Sequence, residues 1–286
     1  MPLPIITRMA DDRPDSFAKR AALLLEHASR PFASRADNPA FSIDADALAK
    51  ERRRLRHNPR PLQRPVVVVS GWRAPGVAAR MTANRLAAMT SERTVDFIPV
   101  SLFDVSCFAD AANALIDAVE RSFPCPDPAF TREVDVVAVS MGGLASRLAA
   151  APRDALGAKA SGLRDKRLRI AHLFTLATPH CGASLADVLA PDTCAKDMRK
   201  GSEFLAALDR AQAQDPLNII PYARLRDGMV GAQNAAPPGM IPLWVDGPPT
   251  LAHLSITLDK RIALDIALRL RDEKPIACAG DHPPRH

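Results

Sequence analysis

Residues 134–148 of the chain read VDVVAVSMGGLASRL and combine a strand, a turn and a helix in one segment. It begins as a short run of apolar, mostly β-branched residues, which is typical of a strand buried on both faces. The run leads directly into Ser140, then into small residues, and then into a helical pattern. A sharp turn from strand to helix holds a serine hydroxyl clear of the sheet, and small neighbours are needed because the turn is strained. The segment therefore indicates a nucleophilic serine, with an ordinary strand-turn-helix as the alternative.

Five further apolar runs predict strands, and helical patterns separate them. The runs are VVVVS (66–70), TVDFIPVSL (94–102), RIAHLFTLAT (169–178), NIIPYARLR (218–226) and IPLWV (241–245), with helices near 76–90, 107–122 and 258–272. Strands that alternate with helices form βαβ units, and hence a mostly parallel sheet of about six strands. In such sheets function lies at the carboxyl ends of the strands.

Position along the chain selects one histidine as the base that Ser140 needs. A serine hydroxyl is a poor nucleophile without an adjacent base. His253 lies after the last predicted strand and before the last predicted helix, where the chain order Ser, Asp, His places the base. An ordinary solvated loop histidine is the alternative. The other histidines lie in or just behind the fourth strand, or towards the two termini: His27, His57, His172, His180, His282 and His286.

The acid that orients the imidazole is expected on the loop after the preceding strand. Asp227, in RLRDGMVG, ends the fifth predicted strand immediately before Gly228. Asp246, in WVDG at the end of the sixth strand, has the same local form and is the second candidate. A simple Asp-Gly turn is the alternative for either residue.

Negative charge that develops on the substrate oxygen needs hydrogen-bond donors, ideally main-chain N–H groups. The N–H of Met141 follows the nucleophile and supplies one. The N–H of Trp72, in the loop SGWRAPG after the first strand, supplies the other. Gly71 allows the backbone to turn close to a ligand there.

Together these residues resemble the α/β-hydrolase superfamily, and within it the lipase and esterase group. The resemblance spans roughly residues 65–271. It rests on VVVVSGW (66–72), AVSMGGLASR (138–147), LFTLATPHCGA (173–183), MRKGSEFLAAL (198–208), and DGMV (227–230) followed by His253. It implies an α/β-hydrolase fold with a small helical cap, and chemistry that uses neither a cofactor nor a metal. It also implies a catalytic triad of Ser140, Asp227 and His253. The oxyanion hole is implied at Trp72 and Met141, and His180 is implied to be a structural histidine.

Three departures from the group's pattern bear on this resemblance. Ser70 stands where many relatives carry a histidine before the glycine of the first loop, which affects the expected geometry of the oxyanion loop. Ala138 replaces the first glycine of the usual G-x-S-x-G elbow, and one methyl group is the smallest addition that could be made there. The sheet also begins late, so the antiparallel first strands of larger relatives are expected to be missing or remodelled.

The predicted organisation is a helical, basic leader (1–64), a hydrolase domain (65–273) and a disordered tail (274–286). In the leader, Ser16 caps an amphipathic helix and a second helix runs from Asp44 to before Pro59. Residues 181–215 carry apolar side chains at spacings that suit short amphipathic helices. Helices packed on the sheet, and a cap or lid that lines an acyl pocket, both remain open for this segment.

The formal net charge of +6 belongs to one short segment. Residues 50–64, KERRRLRHNPRPLQR, hold seven Lys/Arg and one Glu, and the rest of the chain is balanced. Such a run is typical of a solvated helix face or of a weak contact with an anionic lipid surface. It lacks interleaved aromatic residues, so nucleic-acid binding is disfavoured.

The five cysteines are widely spread and include no CxxC pair, which disfavours a zinc site or a dense disulfide framework. One bridge, Cys181–Cys194, stays open for an exported protein. The apolar runs fall short of the ~18 residues of a membrane span. The N-terminus lacks a basic start followed by an apolar stretch, so we expect a cytoplasmic protein.

The functional prediction is a serine hydrolase that cleaves carboxylic esters, with an acyl ester or a lipid as substrate. Thioesterase, amidase and acyltransferase chemistry use the same constellation. A non-catalytic binding protein on the same fold is the alternative from another class, and the intact set of three triad candidates argues against it.

Overall fold

The structure, a computed structural model, describes residues 40–90, 96–188, 190–246, 252–278 and 280–284. The helix predicted after Ser16 lies outside these residues. In the described part of the chain, none of the helices is long and apolar enough to cross a membrane. Cys181 and Cys194 are both thiols, so the bridge left open above is not formed.

The apolar runs predicted as strands form one parallel sheet. Its strands are β1 (Val66–Val69), β2 (Phe97–Val100), β3 (Val134–Val139), β4 (Ile170–Leu176), β5 (Ile219–Arg224) and β6 (Leu243–Val245). The order across the sheet is β2-β1-β3-β4-β5-β6, and every neighbouring pair is parallel. The predicted fold class, a mostly parallel sheet of about six strands flanked by helices, is confirmed.

Helices connect the strands. They are α1 (Ala45–His57), α2 (Gly76–Thr90), α3 (Phe108–Ser122), α4 (Met141–Ala150), α5 (Arg153–Leu156), α6 (Ser184–Val188), α7 (Thr193–Asp197), α8 (Glu203–Gln214), α9 (Ala252–Ser255) and α10 (Lys260–Leu270). Short 3₁₀ turns lie at Gly157–Ala160, Ala232–Asn234 and Ile256–Leu258.

The sheet is buried on both faces, which explains why its strands are apolar without alternation. Val67 and Val69 of β1 pack in a core with α3, α4 and α8, whereas Val66 and Val68 pack in a second core with α1, α2 and α10. All four valines are fully buried. Side chains of successive strand residues point to opposite faces, so a strand covered on both sides must be apolar at every position.

The order of the strands places a crevice beside β1. The chain goes from β1 to β2 on one side and then returns to β3 on the other side. The connections therefore leave β1 and β3 in opposite directions at their carboxyl ends. In open parallel sheets ligands bind at such a switch point. Ser70 follows β1 there, and Ser140 follows β3.

The described part of the segment predicted as a basic leader packs against the sheet and its helices. Phe41 and Leu55 are buried in the core that contains α2 and α10. Arg271 donates to the main-chain oxygens of Leu55 (3.2 Å) and Asn58 (2.9 Å) at the end of α1. Arg54 pairs with a glutamate beyond α10, Glu273. Part of the positive charge of residues 50–64 is thus neutralised within the fold.

The described residues of the segment 274–286, which we expected to be disordered, make specific contacts. The N–H of Ala277 donates to Asp265 Oδ1 (2.7 Å), and Trp244 Nε1 donates to the main-chain oxygen of Asp281 (2.7 Å). Asp265 is fully buried in α10. A buried carboxylate requires hydrogen-bond donors, so the chain after α10 is held where it supplies one.

Candidate active site

Ser140 occupies a strained turn between β3 and α4. Its backbone has φ 52° and ψ −126°, in a region that a non-glycine residue rarely adopts. Three hydrogen bonds hold it there: the Ser140 N–H donates to the oxygen of Leu176 (2.8 Å), and its own carbonyl accepts from Thr178 Oγ1 (2.8 Å) and the N–H of Gly143 (3.0 Å). Strain of this kind persists only where the surroundings enforce it, and it is common at active sites.

The two glycines after Ser140 permit the helix to start close to its neighbours. A Cβ at Gly142 would lie 2.7 Å from the main-chain oxygen of Ser70, and one at Gly143 would lie 2.2 Å from Thr178 Oγ1. Both distances are too short for a side chain of any kind. Ala138, which replaces the usual first glycine, is fully buried in β3 and is accommodated there.

Asp227 and His253 are brought together from different parts of the chain. Asp227 follows β5, and His253 lies on α9. His253 Nδ1 lies 2.8 Å from Asp227 Oδ2. The other oxygen, Oδ1, accepts from the N–H groups of Met229 (2.9 Å) and Val230 (3.1 Å). Two main-chain donors hold Oδ1, and Oδ2 faces the imidazole. In the tautomer with its proton on Nδ1, His253 donates to Asp227 and Nε2 remains available.

Asp246 is the second candidate acid. It follows β6, and its main-chain oxygen accepts from Arg261 Nη2 (2.9 Å). The carboxylate that is bonded to His253 belongs to Asp227. Both members of the Asp227–His253 pair are buried, with 5% and 6% of their surfaces exposed.

Three observations identify the architecture. They are a parallel sheet of this strand order, a strained serine at the turn after β3, and a buried Asp-His pair near the ends of β5 and β6. The chain has the α/β-hydrolase fold. Its predicted nucleophile and base, Ser140 and His253, line one cavity of about 160 Å³ at the carboxyl edge of the sheet.

The two predicted oxyanion donors belong to residues that follow β1 and β3. Trp72 lies in the turn after β1 and lines the same cavity. Met141 is the first residue of α4, where an N–H has no acceptor within its own helix. In the described part of the chain neither N–H has a hydrogen-bond partner. Gly71 lies against the serine, since a Cβ at position 71 would be 3.9 Å from Ser140 Oγ.

The predicted cap segment, residues 181–215, divides into two parts. Helix α8 buries Phe204 and Leu208 in the core on one side of the sheet, where it contacts helices, and Phe204 stacks on Phe108 of α3 with ring centroids 4.1 Å apart. The part before it lines the cavity with side chains that are apolar and mostly small: Ala183, Leu185, Ala186, Ala195 and Met198. A cap or lid therefore stays a prediction for the stretch before α8, whose side chains line the cavity.

His180 makes contacts of a structural kind. It is fully buried, with Nδ1 3.2 Å from Arg147 Nη1 and Nε2 3.1 Å from Thr175 Oγ1. Burial and the neighbouring guanidinium hold the pKa of His180 well below its usual range, so the ring is neutral. Arg147 also donates to Asp209 and to the main-chain oxygen of Leu208 (both 2.9 Å), which ties α4 to α8.

Sequence reasoning missed two residues that hold the site. Thr178 fixes the carbonyl of Ser140, and its signal was the TPH segment that directly follows β4. Asp192 bonds to the indole of Trp72 (3.1 Å), and no local pattern marks this contact across 120 residues of sequence.

No protein-family model matches the sequence, and no curated protein matches it. Among solved structures, the mature form of the lipase BlEst2 from Bacillus licheniformis has a TM-score of 0.47 and 16% identity, covering 73% of this chain and 94% of that one. Its propeptide form has a TM-score of 0.49 and 15% identity, covering 80% and 53%. The metagenomic carboxyl esterase MGS0156 has a TM-score of 0.43 and 16% identity, covering 87% and 88%. Likeness at this level leaves function to be inferred from the side chains of the chain itself.

Proposed function

We propose that the chain is a serine hydrolase that cleaves carboxylic esters through an acyl-enzyme. The buried Asp227–His253 pair, which opens on the same cavity as the strained Ser140, carries the proposal. A buried, oriented imidazole beside a constrained serine is the arrangement that turns a hydroxyl into a nucleophile. A protein that only binds its ligand has no use for this arrangement.

The roles follow from the contacts. Ser140 Oγ attacks the ester carbonyl, and His253 Nε2 takes its proton and returns it to the leaving alcohol. Asp227, which is fixed by the two N–H groups of its own loop, keeps the imidazole in the required tautomer and stabilises the imidazolium. The N–H groups of Trp72 and Met141 stabilise the oxyanion. Water then hydrolyses the acyl-enzyme by the same steps.

The cavity favours an acyl group larger than acetyl. Most of its lining is apolar, and it encloses about 160 Å³. An apolar cavity of roughly 150 Å³ accommodates benzene, so this one has room for about six carbons. Each buried methylene is worth about 0.8 kcal/mol, a factor of about four in kcat/KM. On p-nitrophenyl esters, kcat/KM is therefore expected to rise from acetate through butyrate and to level off near hexanoate.

The test compares the wild type with the variant Ser140→Ala. The matched control is Ser161→Ala, because Ser161 is exposed and lies outside the cavity lining. Ester hydrolysis is expected to fall at least a thousandfold in Ser140→Ala and to stay at the wild-type rate in the control. Ester hydrolysis that survives in Ser140→Ala would reject the proposal. Turnover of acetate alone would reject the acyl cavity, while a thioester substrate in the same panel separates esterase from thioesterase activity.

A further inference from the structure

Asp192 joins the cap segment to the loop after β1. Its Oδ2 accepts from Trp72 Nε1 (3.1 Å) and from Arg73 Nη2 (3.2 Å), while its Oδ1 accepts from the N–H of Ala195 (2.8 Å) and caps α7. One oxygen thus serves the cap and the other serves the loop. The Asp192 side chain is a quarter exposed, and its contacts with Trp72 and Ala195 are partly buried, whereas its contact with Arg73 faces solvent.

The loop that Asp192 holds is strained. Arg73 has φ 49°, a left-handed conformation that costs free energy in any residue other than glycine. Its guanidinium stacks over the indole of Trp72 with its carbon 5.2 Å from the ring centroid. The side chains of the two residues at the tip of the turn therefore converge on one carboxylate oxygen. Without that acceptor, nothing among the described side-chain hydrogen bonds fixes the indole.

We propose that Asp192 is a positioning residue that sets the oxyanion donor at Trp72. This inference rests on the proposed function, in which the main-chain N–H of Trp72 stabilises the oxyanion. Asp192 does not touch the reacting atoms. By holding the side chains of Trp72 and Arg73, it restricts the backbone movement that would turn the N–H of Trp72 away from the oxyanion. A misplacement of about 1 Å in such a group can cost about 100-fold in rate.

Two substitutions at Asp192 separate this role from the capping of α7. Asp192→Asn keeps the shape of the side chain. If its amide oxygen still accepts from the N–H of Ala195, its NH₂ group faces Trp72 Nε1, so two donors meet and the hydrogen bond to the indole is lost. Asp192→Ser keeps a good helix cap and is too short to reach the indole. Trp72→Phe removes the Nε1 donor from the other side. Asp197→Asn is the matched control, because Asp197 ends the same helix and pairs with Lys159, which lies outside the cavity lining.

The assay measures kcat and KM separately on p-nitrophenyl butyrate, with thermal unfolding as a check on folding. We expect Asp192→Asn, Asp192→Ser and Trp72→Phe each to lower kcat by about 10- to 100-fold with KM changed less than threefold. The double variant Trp72→Phe/Asp192→Ser is expected to be no slower than the slower single variant, because both changes break one contact.

Three outcomes would overturn the inference. They are an unchanged kcat in Asp192→Ser, a loss in Asp197→Asn as large as that in the Asp192 variants, or losses at Trp72 and Asp192 that multiply in the double variant. In each of these outcomes the wild-type enzyme is still active, so the proposed function stands while the inference about Asp192 fails. Failure of the proposed function is recognised separately, because Ser140→Ala would then retain the wild-type rate.

Discussion

Substitution of Gly143 by alanine is expected to damage both the fold and the site, and the structure identifies the atoms responsible. The new Cβ would lie 2.2 Å from Oγ1, 2.7 Å from Cγ2 and 2.9 Å from Cβ of Thr178. Separations below about 3 Å force atoms apart, and overpacking of this kind costs about 1–3 kcal/mol. Moving Thr178 also breaks its hydrogen bond to the carbonyl of Ser140, worth about 1 kcal/mol. The expected destabilisation is about 2–4 kcal/mol.

A second substitution tests this reasoning, because the obstacle at Gly143 is one side chain. Thr178→Ala alone is expected to cost about 1 kcal/mol, since the carbonyl of Ser140 still accepts from the N–H of Gly143 (3.0 Å). In the double variant the closest remaining contact is 2.9 Å, so its cost is expected to fall below the sum of the two single costs by at least 1 kcal/mol. Gly142→Ala is the control, because its obstacle is the main-chain oxygen of Ser70, which no side-chain change at Thr178 removes.

The assay is urea unfolding followed by circular dichroism, with the rate of ester hydrolysis measured on the same samples. Simple additivity of Gly143→Ala and Thr178→Ala would refute the steric account. So would equal relief of Gly142→Ala by Thr178→Ala. A Gly143→Ala variant as stable and active as the wild type would refute the claim that the turn at Ser140 depends on this close approach.

Three further perturbations have defined outcomes. Because His180 has a depressed pKa in the folded state, unfolding takes up a proton below pH ~6.5, so the free energy of unfolding falls on acidification. His180→Asn should flatten this part of the pH-stability curve, and an unchanged slope would contradict the prediction. Arg271→Met removes the hydrogen-bond donors of main-chain oxygens at the ends of α1 and α2. It should lower the unfolding free energy in urea titration by about 2–5 kcal/mol, and a loss under 1 kcal/mol would contradict this. Trp244→Phe removes the bond to Asp281, so limited proteolysis should cleave the C-terminal segment faster than in the wild type, and an equal rate would argue that this bond does not hold the segment.

Most of the fold could be predicted because each strand of a sheet covered on both faces must be apolar throughout. A short run such as VVVV at 66–69, which is wholly apolar and β-branched, fits few structures other than a strand buried on both faces. The turn at Ser140 was also predictable, since small residues directly after a buried strand have a clear steric reason. Chain order selected His253, and the loop position expected for the acid preferred Asp227 to Asp246. The structure places His253 Nδ1 2.8 Å from Asp227 Oδ2.

What could not be predicted depends on contacts between distant parts of the chain. The basic run at 50–64 gave no sign that Leu55 is buried and that Arg54 pairs with Glu273, because charge patterning describes only one helix face. The segment after α10 offers few residues to bury and has two adjacent prolines, yet the N–H of Ala277 donates to Oδ1 of the fully buried Asp265 (2.7 Å). The bond from Trp72 to Asp192 likewise has no local signature.

The residue that a fluorophosphonate labels covalently shows whether Ser140 is the nucleophile. The wild-type protein is labelled, digested with trypsin and analysed by tandem mass spectrometry. Cleavage at Arg132 and Arg147 releases residues 133–147, which contain Ser140 and a second serine, Ser146, buried in α4 and bonded to the main-chain oxygen of Gly142 (2.8 Å). The account predicts one adduct, on Ser140, whose formation is slowed at least a hundredfold by His253→Ala. An adduct on any other residue, or labelling of Ser140 that is indifferent to His253, would contradict it.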